Sequence, residues 1–269
     1  MQEILLQETK IVAHRGASYA APENTIPSFE LAFKENADFI EGDFWLTKDK
    51  EIVCVHDSNT TRVNKEKIKL KINKSTLAEL KNIDAGSWKG EEFKETQIPS
   101  IQEVLQIIPE GKGIFVEIKD NKEEFIKILF NILNSSGFPH DKIRIISFDP
   151  RMVAAVKRHI PEVKAYWLFS WFSFKVTCNV ANILGKFNQA IKAIKCDGIN
   201  VNAACGINKN FVNELRKQQL DFSAYNVDEP DVLQKMLSLG VDAVTTNYPN
   251  KMREQMNTLL QSSSHAHQK

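Results

Sequence analysis

Short apolar runs rich in β-branched and aromatic residues alternate along the chain with segments of helical periodicity. The apolar runs predict strands at residues 11–14, 39–46, 51–55, 114–118, 143–147, 164–169, 198–201, 221–227 and 241–246. Helical patterns lie between them, at residues 25–36, 122–136, 151–159, 208–218 and 229–239. Strands that alternate with helices are typical of a parallel sheet covered by helices.

The linker between the second and third predicted strands indicates the architecture. Only residues 47–50 separate these strands, whereas a parallel crossover needs about a dozen residues. We therefore predict an antiparallel hairpin, whose second strand returns beside the first. Eight of the nine predicted strands are then parallel, which is the number in a (β/α)8 TIM barrel. An open, doubly wound sheet is the alternative.

The region after the hairpin does not continue the barrel pattern. Residues 57–98 contain no barrel-like strand but carry a capping box at 76–79, and a second capping box at 100–103 begins the next barrel helix. We expect a small insertion at 57–98 within a single domain that spans residues 1–260. The polar segment 261–269 is expected to be a flexible tail.

Composition and charge narrow the classes of partner. Of the 269 residues, 42% are hydrophobic and 26% are charged, which is enough to bury a large core. The formal net charge is only +1, with acidic and basic residues interspersed, so we expect no nucleic-acid partner. The four cysteines have irregular spacing and are expected to be reduced thiols. None of these features indicates an oligomeric state.

Two further features bear on location. The first residues, MQEILLQETKIV, are acidic and only briefly apolar, unlike a signal peptide, and we expect a cytoplasmic protein. The most apolar segment, residues 165–174, is far shorter than the roughly 20 residues that cross a bilayer. We therefore expect no stable membrane insertion.

Polar side chains stand at or near the ends of five predicted strands. They are His14 and Arg15; Glu41 and Asp43; His56 and Asp57; Glu117 and Lys119; and Tyr225, Asn226 and Asp228. Because the carboxyl ends of barrel strands converge on one rim, residues far apart in sequence become neighbours there. This rim is the predicted active site.

The acidic residues indicate a metal site. Glu41 and Asp43 are two positions apart, so a strand directs both side chains to one face, and Glu117 lies on a strand of the same rim. Adjacent carboxylates repel unless a cation lies between them, and oxygen ligands suit a hard divalent ion such as Mg²⁺ or Ca²⁺. The alternatives are a solvated strand end or a set of salt bridges to Arg15 and Lys119.

The basic residues indicate acid–base chemistry on an anion. The hairpin places His56 across from residues 41–43, and with His14 it supplies two imidazoles suited to general acid and base catalysis. Arg15 and Lys119 supply the positive charge that a phosphate diester needs. We interpret Gly16 as leaving room for the substrate beside the backbone.

Several motifs together resemble a known family. They are HRGAS from residue 14, APENT from 21, DFIEGD from 38, LTKD from 46, VHD from 55, DAGSW from 84, IPS from 98, VEIK from 116, SFD from 147 and GVDAV from 240. In this order they are similar to the glycerophosphodiester phosphodiesterase (GDPD) family over residues 11 to about 250. The resemblance implies a barrel enzyme that hydrolyses glycerophosphodiesters to sn-glycerol 3-phosphate and an alcohol.

The resemblance also implies residue roles. These are catalysis by His14 and His56; substrate binding by Arg15, Lys119, Glu23, Asn24 and Tyr225; and one divalent cation held by Glu41, Asp43 and Glu117. In the mechanism that it implies, the substrate's own glycerol hydroxyl attacks phosphorus. The resulting cyclic phosphate is then opened by water, so no serine or cysteine nucleophile is needed.

Three positions depart from the family pattern. Relatives often have a tryptophan and an asparagine in the late strand motif and an aspartate in the closing TDxP, where this chain has Tyr225, Asp228 and Asn247. Tyr225 can still wall a glycerol pocket. Asp228 adds a negative charge, from which we predict a preference for cationic head groups such as choline or ethanolamine.

Other functions remain open at this point. An apolar lip formed by the aromatic run at 166–174 favours a lysophospholipase D that acts on lysophospholipids, although a buried core strand is the alternative reading of the run. A non-catalytic barrel that binds phosphate esters is a second possibility. A nuclease is disfavoured by the charge balance, despite the alternating lysines between residues 65 and 74.

Overall fold

The structure, a computed structural model, describes residues 8–170, 187 and 189–266. Its nine strands are β1 (Lys10–His14), β2 (Phe39–Leu46), β3 (Ile52–Cys54), β4 (Gly113–Ile118), β5 (Ile143–Ser147), β6 (Lys164–Phe169), β7 (Gly198–Asn202), β8 (Asp221–Tyr225) and β9 (Ala243–Thr246). The α-helices include α1 (Ile26–Lys34), α2 (Leu77–Lys81), α3 (Ile101–Gln106), α4 (Glu123–Ser136), α5 (Pro150–His159), α6 (Lys209–Lys217), α7 (Pro230–Ser238) and α8 (Pro249–Ala266), and residues 189–194 between β6 and β7 are also helical. Short 3₁₀ helices cover Ile72–Lys74, Glu91–Phe93 and His140–Lys142.

Eight parallel strands close on themselves. β1 pairs with β9 on one side and with β2 on the other, and β2 also pairs with β4, which continues in order through β5 to β9. β3 runs antiparallel to β2, with Phe44 opposite Cys54. The predicted TIM barrel with an early hairpin is therefore confirmed, and the open sheet is wrong.

The alternation of side chains along the strands divides the interior into two layers. Every second strand residue packs under the helices, as Ile11 and Ala13 do in β1. The residues between them fill the barrel interior, which is closed by Val12, Phe115, Ile146, Tyr166, Leu168 and Ala243. The packed interior leaves the carboxyl ends of the strands as the place for polar chemistry.

The insertion has a small core of its own. Val63, Leu80 and Ile83 pack with the β3 residue Val53 in a cluster separate from the main core. Both predicted capping boxes, at 76–79 and 100–103, are present.

The insertion contacts the rim through polar groups. Lys89 Nζ donates to the Ser18 carbonyl at 2.8 Å, and Arg62 forms ion pairs with Glu23 and Asp57. These contacts hold the insertion against the loops that follow β1 and β3.

The aromatic run and the polar tail are described only in part. The strand part of the aromatic run ends at Phe169, and the proposed lip at 171–174 lies outside the described residues. The backbone of the predicted tail is helical to Ala266, as a continuation of α8. In the part of the chain that the structure describes, no helix combines the length and apolarity needed to cross a bilayer.

Candidate active site

The predicted site residues meet at one cavity on the rim. The cavity has a volume of about 230 Å³, and its walls include His14, Arg15, Glu41, His56, Glu117 and Lys119. Tyr225 also lines the cavity. The ends of β1, β2 and β4 bring these side chains together because the strands are parallel neighbours, with His14 beside Glu41 and Asp43 beside Glu117 in the register.

The acidic cluster lies at the base of the site. Glu41, Asp43 and Glu117 are buried, and each has a carboxylate oxygen within 4.8 Å of the others. Asp43 forms ion pairs with Arg15 Nε at 3.2 Å and with Lys119 Nζ at 3.0 Å. Lys119 also contacts Glu117 at 2.7 Å, and the Arg15 amide donates to Glu41 at 3.0 Å. The salt bridges that the sequence offered as an alternative to a metal site are therefore present, and the three carboxylates also lie close enough together to hold one ion.

Electrostatics distinguishes the three carboxyl groups. Burial raises the pKa of Glu41 well above its usual value, and the charges of Asp43 and Glu117 raise it further. Burial and the Asp43 charge raise the pKa of Glu117 to about 7. Burial also acts on Asp43, but the nearby cations Lys119 and Arg15 outweigh it and lower the pKa. A buried, all-oxygen donor set of this kind fits a hard divalent cation.

His14 is held through its Nδ1 by a chain of polar groups. Nδ1 lies 2.8 Å from Asn247 Oδ1, and Asn247 Nδ2 donates to Asp228 Oδ2 at 2.6 Å. Asp228 Oδ1 accepts from the backbone N–H of Asn247 and from the Thr246 hydroxyl, both at 2.8 Å. Asp228 thus fixes which end of the Asn247 side chain faces His14, and the hydrogen-bond network assigns the Nδ1–H tautomer.

The side chain of Asn226 and the charge of Arg15 also act on the His14 imidazole. The amide nitrogen of Asn226 lies 3.0 Å from His14 Nδ1, and an amide flip that turns its oxygen inward makes this contact compatible with a protonated Nδ1. Burial, followed by the Arg15 charge, lowers the pKa of His14. The neutral imidazole is therefore favoured.

His56 has a charged partner instead. Its Nδ1 lies 2.7 Å from Asp57 Oδ1, and Arg62 Nε donates to Asp57 Oδ2 at 2.8 Å. Arg62 also donates to both oxygens of Glu23, which accepts from Arg15 at 3.0 Å. A continuous chain of charges therefore joins the two sides of the cavity. Arg62 belongs to the insertion and carried no signal in the sequence.

Asn24 has a different position from the one expected of a substrate-binding residue. Only 2% of it is exposed, and it is absent from the cavity walls. Its Nδ2 donates to Asp43 Oδ2 at 2.8 Å, and its Oδ1 accepts from the Asp43 amide at 3.1 Å. Asn24 orients Asp43 from behind rather than reaching the cavity. Glu23 lies at the edge, engaged with Arg15 and Arg62.

The interpretation of Gly16 as space for the substrate is wrong. Its φ is +82°, a left-handed conformation that L side chains rarely adopt. A Cβ here would lie 2.3 Å from Ser28 Oγ and 2.6 Å from the Ser28 carbonyl carbon. The glycine is needed so that the loop after β1 can turn against α1, which the sequence pattern alone did not indicate.

The fold and site together define a class: a TIM-barrel enzyme with a candidate metal site and basic side chains at the carboxyl ends of its strands. The model of the glycerophosphoryl diester phosphodiesterase family matches residues 14–251. The chain belongs to this family, as the sequence motifs predicted.

Individual relatives agree with this assignment. YhdW of Bacillus subtilis is 32% identical over 243 residues, covering 89% of this chain and 95% of the relative. A glycerophosphodiester phosphodiesterase of Bacillus altitudinis is 29% identical over 258 residues, covering 92% and 99%. A solved Oleispira antarctica phosphodiesterase in complex with the product sn-glycerol-3-phosphate has a TM-score of 0.81 and 26% identity, covering 93% and 98%.

Proposed function

We propose that this protein is a divalent-metal-dependent phosphodiesterase that converts glycerophosphodiesters into sn-glycerol 3-phosphate and an alcohol. The observation that carries the proposal is the meeting of an acidic cluster, two cationic side chains and two histidines at one cavity. Family membership supports it, as does the product held by the Oleispira antarctica relative.

The charged residues divide into a metal site and an anion site. Glu41, Asp43 and Glu117 would hold Mg²⁺ or Ca²⁺, which when bound supplies positive charge against the phosphoryl oxygens. Arg15 and Lys119 line the same cavity and contact the phosphate, Arg15 with a planar fork and Lys119 as a point charge. Their existing ion pairs with Asp43 keep both cations fixed at the rim.

We base the roles of the two histidines on their unlike hydrogen-bond partners. His14 is paired with the neutral Asn247, so its neutral form carries a lone pair on Nε2 and serves as the base. His56 Nδ1 lies against the Asp57 carboxylate, which orients the ring and leaves Nε2 to give a proton to the departing alcohol, so we assign His56 the role of the acid.

The proton transfers then balance over two steps. His14 takes the proton of the glycerol hydroxyl as its oxygen bonds to phosphorus, and His56 gives a proton to the oxygen of the departing alcohol. In the second step His56 accepts a proton from water, which opens the cyclic phosphate, and His14 returns a proton to the glycerol oxygen. Both histidines end in their starting states.

We place the head group in an adjoining, more open cavity on the His56 side. This cavity of about 550 Å³ is lined by Trp45, Phe148 and Asp149. Phe148 is 46% exposed, and aromatic faces attract choline-like cations. We place a cationic head group here rather than beside Asp228, because both carboxylate oxygens of Asp228 bind Asn247 and Thr246.

Product analysis on several substrates tests the proposal. We expect release of sn-glycerol 3-phosphate from glycerophosphocholine and glycerophosphoethanolamine, with slower release from glycerophosphoinositol. Preferential cleavage of lysophosphatidylcholine would instead favour the lysophospholipase D. Binding of glycerol 3-phosphate by folded protein that cleaves no diester would favour the non-catalytic barrel.

A further inference from the structure

The inner end of the active-site cavity contains two polar residues that the proposed chemistry does not use. Below the charged rim, the barrel interior is closed by apolar side chains such as Val12 and Leu168. Asn200 on β7 and Thr245 on β9 line the same cavity, although only 1% and 2% of them are exposed. Thr245 pairs in register with Val12, two residues before His14, and therefore lies deeper in the barrel than the histidine.

Both residues present an unpartnered oxygen. Among the described residues, no protein group forms a hydrogen bond with Asn200 Oδ1 or Thr245 Oγ1. A nearby interior hydroxyl is different, because Ser223 Oγ donates to the Ile199 carbonyl at 3.5 Å. Buried polar atoms without partners are rare and destabilising, so two of them in one cavity indicate a ligand that supplies the missing bonds.

The chemistry of the two oxygens specifies a hydroxyl group. An amide oxygen only accepts a hydrogen bond, whereas a threonine hydroxyl can donate one. A single alcohol can therefore donate to Asn200 and accept from Thr245. The apolar walls beside them, Ile146 and Leu168, suit a short carbon chain rather than a second charge.

We infer that Asn200 and Thr245 form a glycerol subsite that binds the terminal hydroxyl of the substrate's glycerol group. The inference rests on the proposed function, in which the middle hydroxyl attacks phosphorus and the terminal one takes no part in the chemistry. The enclosed inner end then holds the invariant glycerol, while the variable alcohol faces the open cavity on the His56 side. The inner end of the cavity thereby selects glycerol, and the open cavity on the His56 side accepts different head groups.

A substrate that lacks one hydroxymethyl group tests the subsite. 2-Hydroxyethyl phosphocholine keeps the attacking hydroxyl of glycerophosphocholine and loses only the terminal hydroxymethyl. We expect the native protein to prefer glycerophosphocholine about tenfold or more in kcat/KM, because the shorter substrate leaves two buried oxygens unpaired. We expect Thr245→Val and Asn200→Leu each to lower this preference several-fold, with the double variant close to no preference.

Two control variants separate recognition from packing. Ser223→Ala removes an interior hydroxyl that already has a partner and should leave the preference unchanged. Thr245→Ser restores the hydroxyl and should restore the preference. Loss of rate with both substrates at an unchanged ratio would overturn the inference, as would equal use of the two substrates by the native protein.

Product binding keeps the subsite distinguishable from the proposed activity. Calorimetry with sn-glycerol 3-phosphate and 2-hydroxyethyl phosphate, at a fixed Mg²⁺ concentration, needs no turnover. A preference for glycerol 3-phosphate that Thr245→Val removes would support the subsite even if no diester were cleaved. Equal binding of the two phosphates would overturn the subsite and leave the phosphodiesterase proposal standing.

Discussion

His14 Nδ1 lies 2.8 Å from Asn247 Oδ1, although 233 positions separate the two residues in the chain. The contact joins the end of β1 to the loop after β9, which are neighbours only because the barrel closes there. Asp228 holds the other end of the Asn247 amide. The arrangement fixes the imidazole without placing a carboxylate directly against it.

Removal of the Asn247 amide should therefore affect turnover more than binding. We expect Asn247→Leu to lower kcat about 100-fold with little change in KM, because His14 loses its preferred tautomer and orientation. Asn250→Leu, which changes an exposed asparagine on α8, is the matched control. Nitrogen-15 shifts of the native His14 ring should show the Nδ1–H tautomer. A dominant Nε2–H form would contradict the assignment.

The roles of the two histidines can be separated with leaving groups of different acidity. The p-nitrophenyl ester of glycerol phosphate releases p-nitrophenolate, a stable anion that needs little help from an acid. Choline is a poorer leaving group and needs a proton. We expect His56→Ala to lose far more activity on glycerophosphocholine than on the p-nitrophenyl ester. His14→Ala should lose activity on both, and the reverse pattern would exchange the two roles.

Metal binding should be visible in stability as well as in activity. A cation between the three buried carboxylates would relieve their mutual repulsion. Any ligand that binds only the folded state stabilises it, by about 2.7 kcal/mol at 100 times its Kd. We expect Mg²⁺ or Ca²⁺ to raise the melting temperature of the native protein, and Glu117→Gln to reduce that increase. Glu110→Gln, at an exposed glutamate, is the control. No melting shift with either ion would argue against the metal site.

The stability of the insertion should depend on pH through the charge of Asp84. Burial opposes ionisation of Asp84, but hydrogen bonds from Ser87, Gly86 and Glu95 outweigh it and lower the pKa below its usual value. The charged carboxylate therefore stabilises the fold above the unfolded pKa of about 3.9, and this stabilisation is lost as pH falls through the folded pKa.

We expect Asp84→Ala to lower the free energy of unfolding by about 2 kcal/mol at pH 7 and by less below pH 4. Urea unfolding at pH 7 and below pH 4 measures the loss of unfolding free energy at each pH, and the exposed Asp141→Ala is the control. A loss that is the same at both pH values would show that the charge has no part in it.

The sequence predicted those features that depend on local spacing. The short loop at 47–50 required a hairpin, and the spacing of Glu41 and Asp43 directed both carboxylates to one face. The long-range partners were not predictable in this way. The bond between His14 and Asn247 depends on barrel closure, and the role of Gly16 depends on how closely Ser28 approaches it.

The most direct test of the account is the release of sn-glycerol 3-phosphate from glycerophosphocholine, quantified by mass spectrometry, for the native protein and for His14→Ala. The reactions are run with Mg²⁺, with Ca²⁺ and with a chelator, after circular dichroism has shown that both proteins are folded. We predict metal-dependent release by the native protein, none with chelator, and a loss of at least 100-fold in the variant. Release that persists in chelator or in the variant, or no release by folded native protein with either ion, would contradict the central claim.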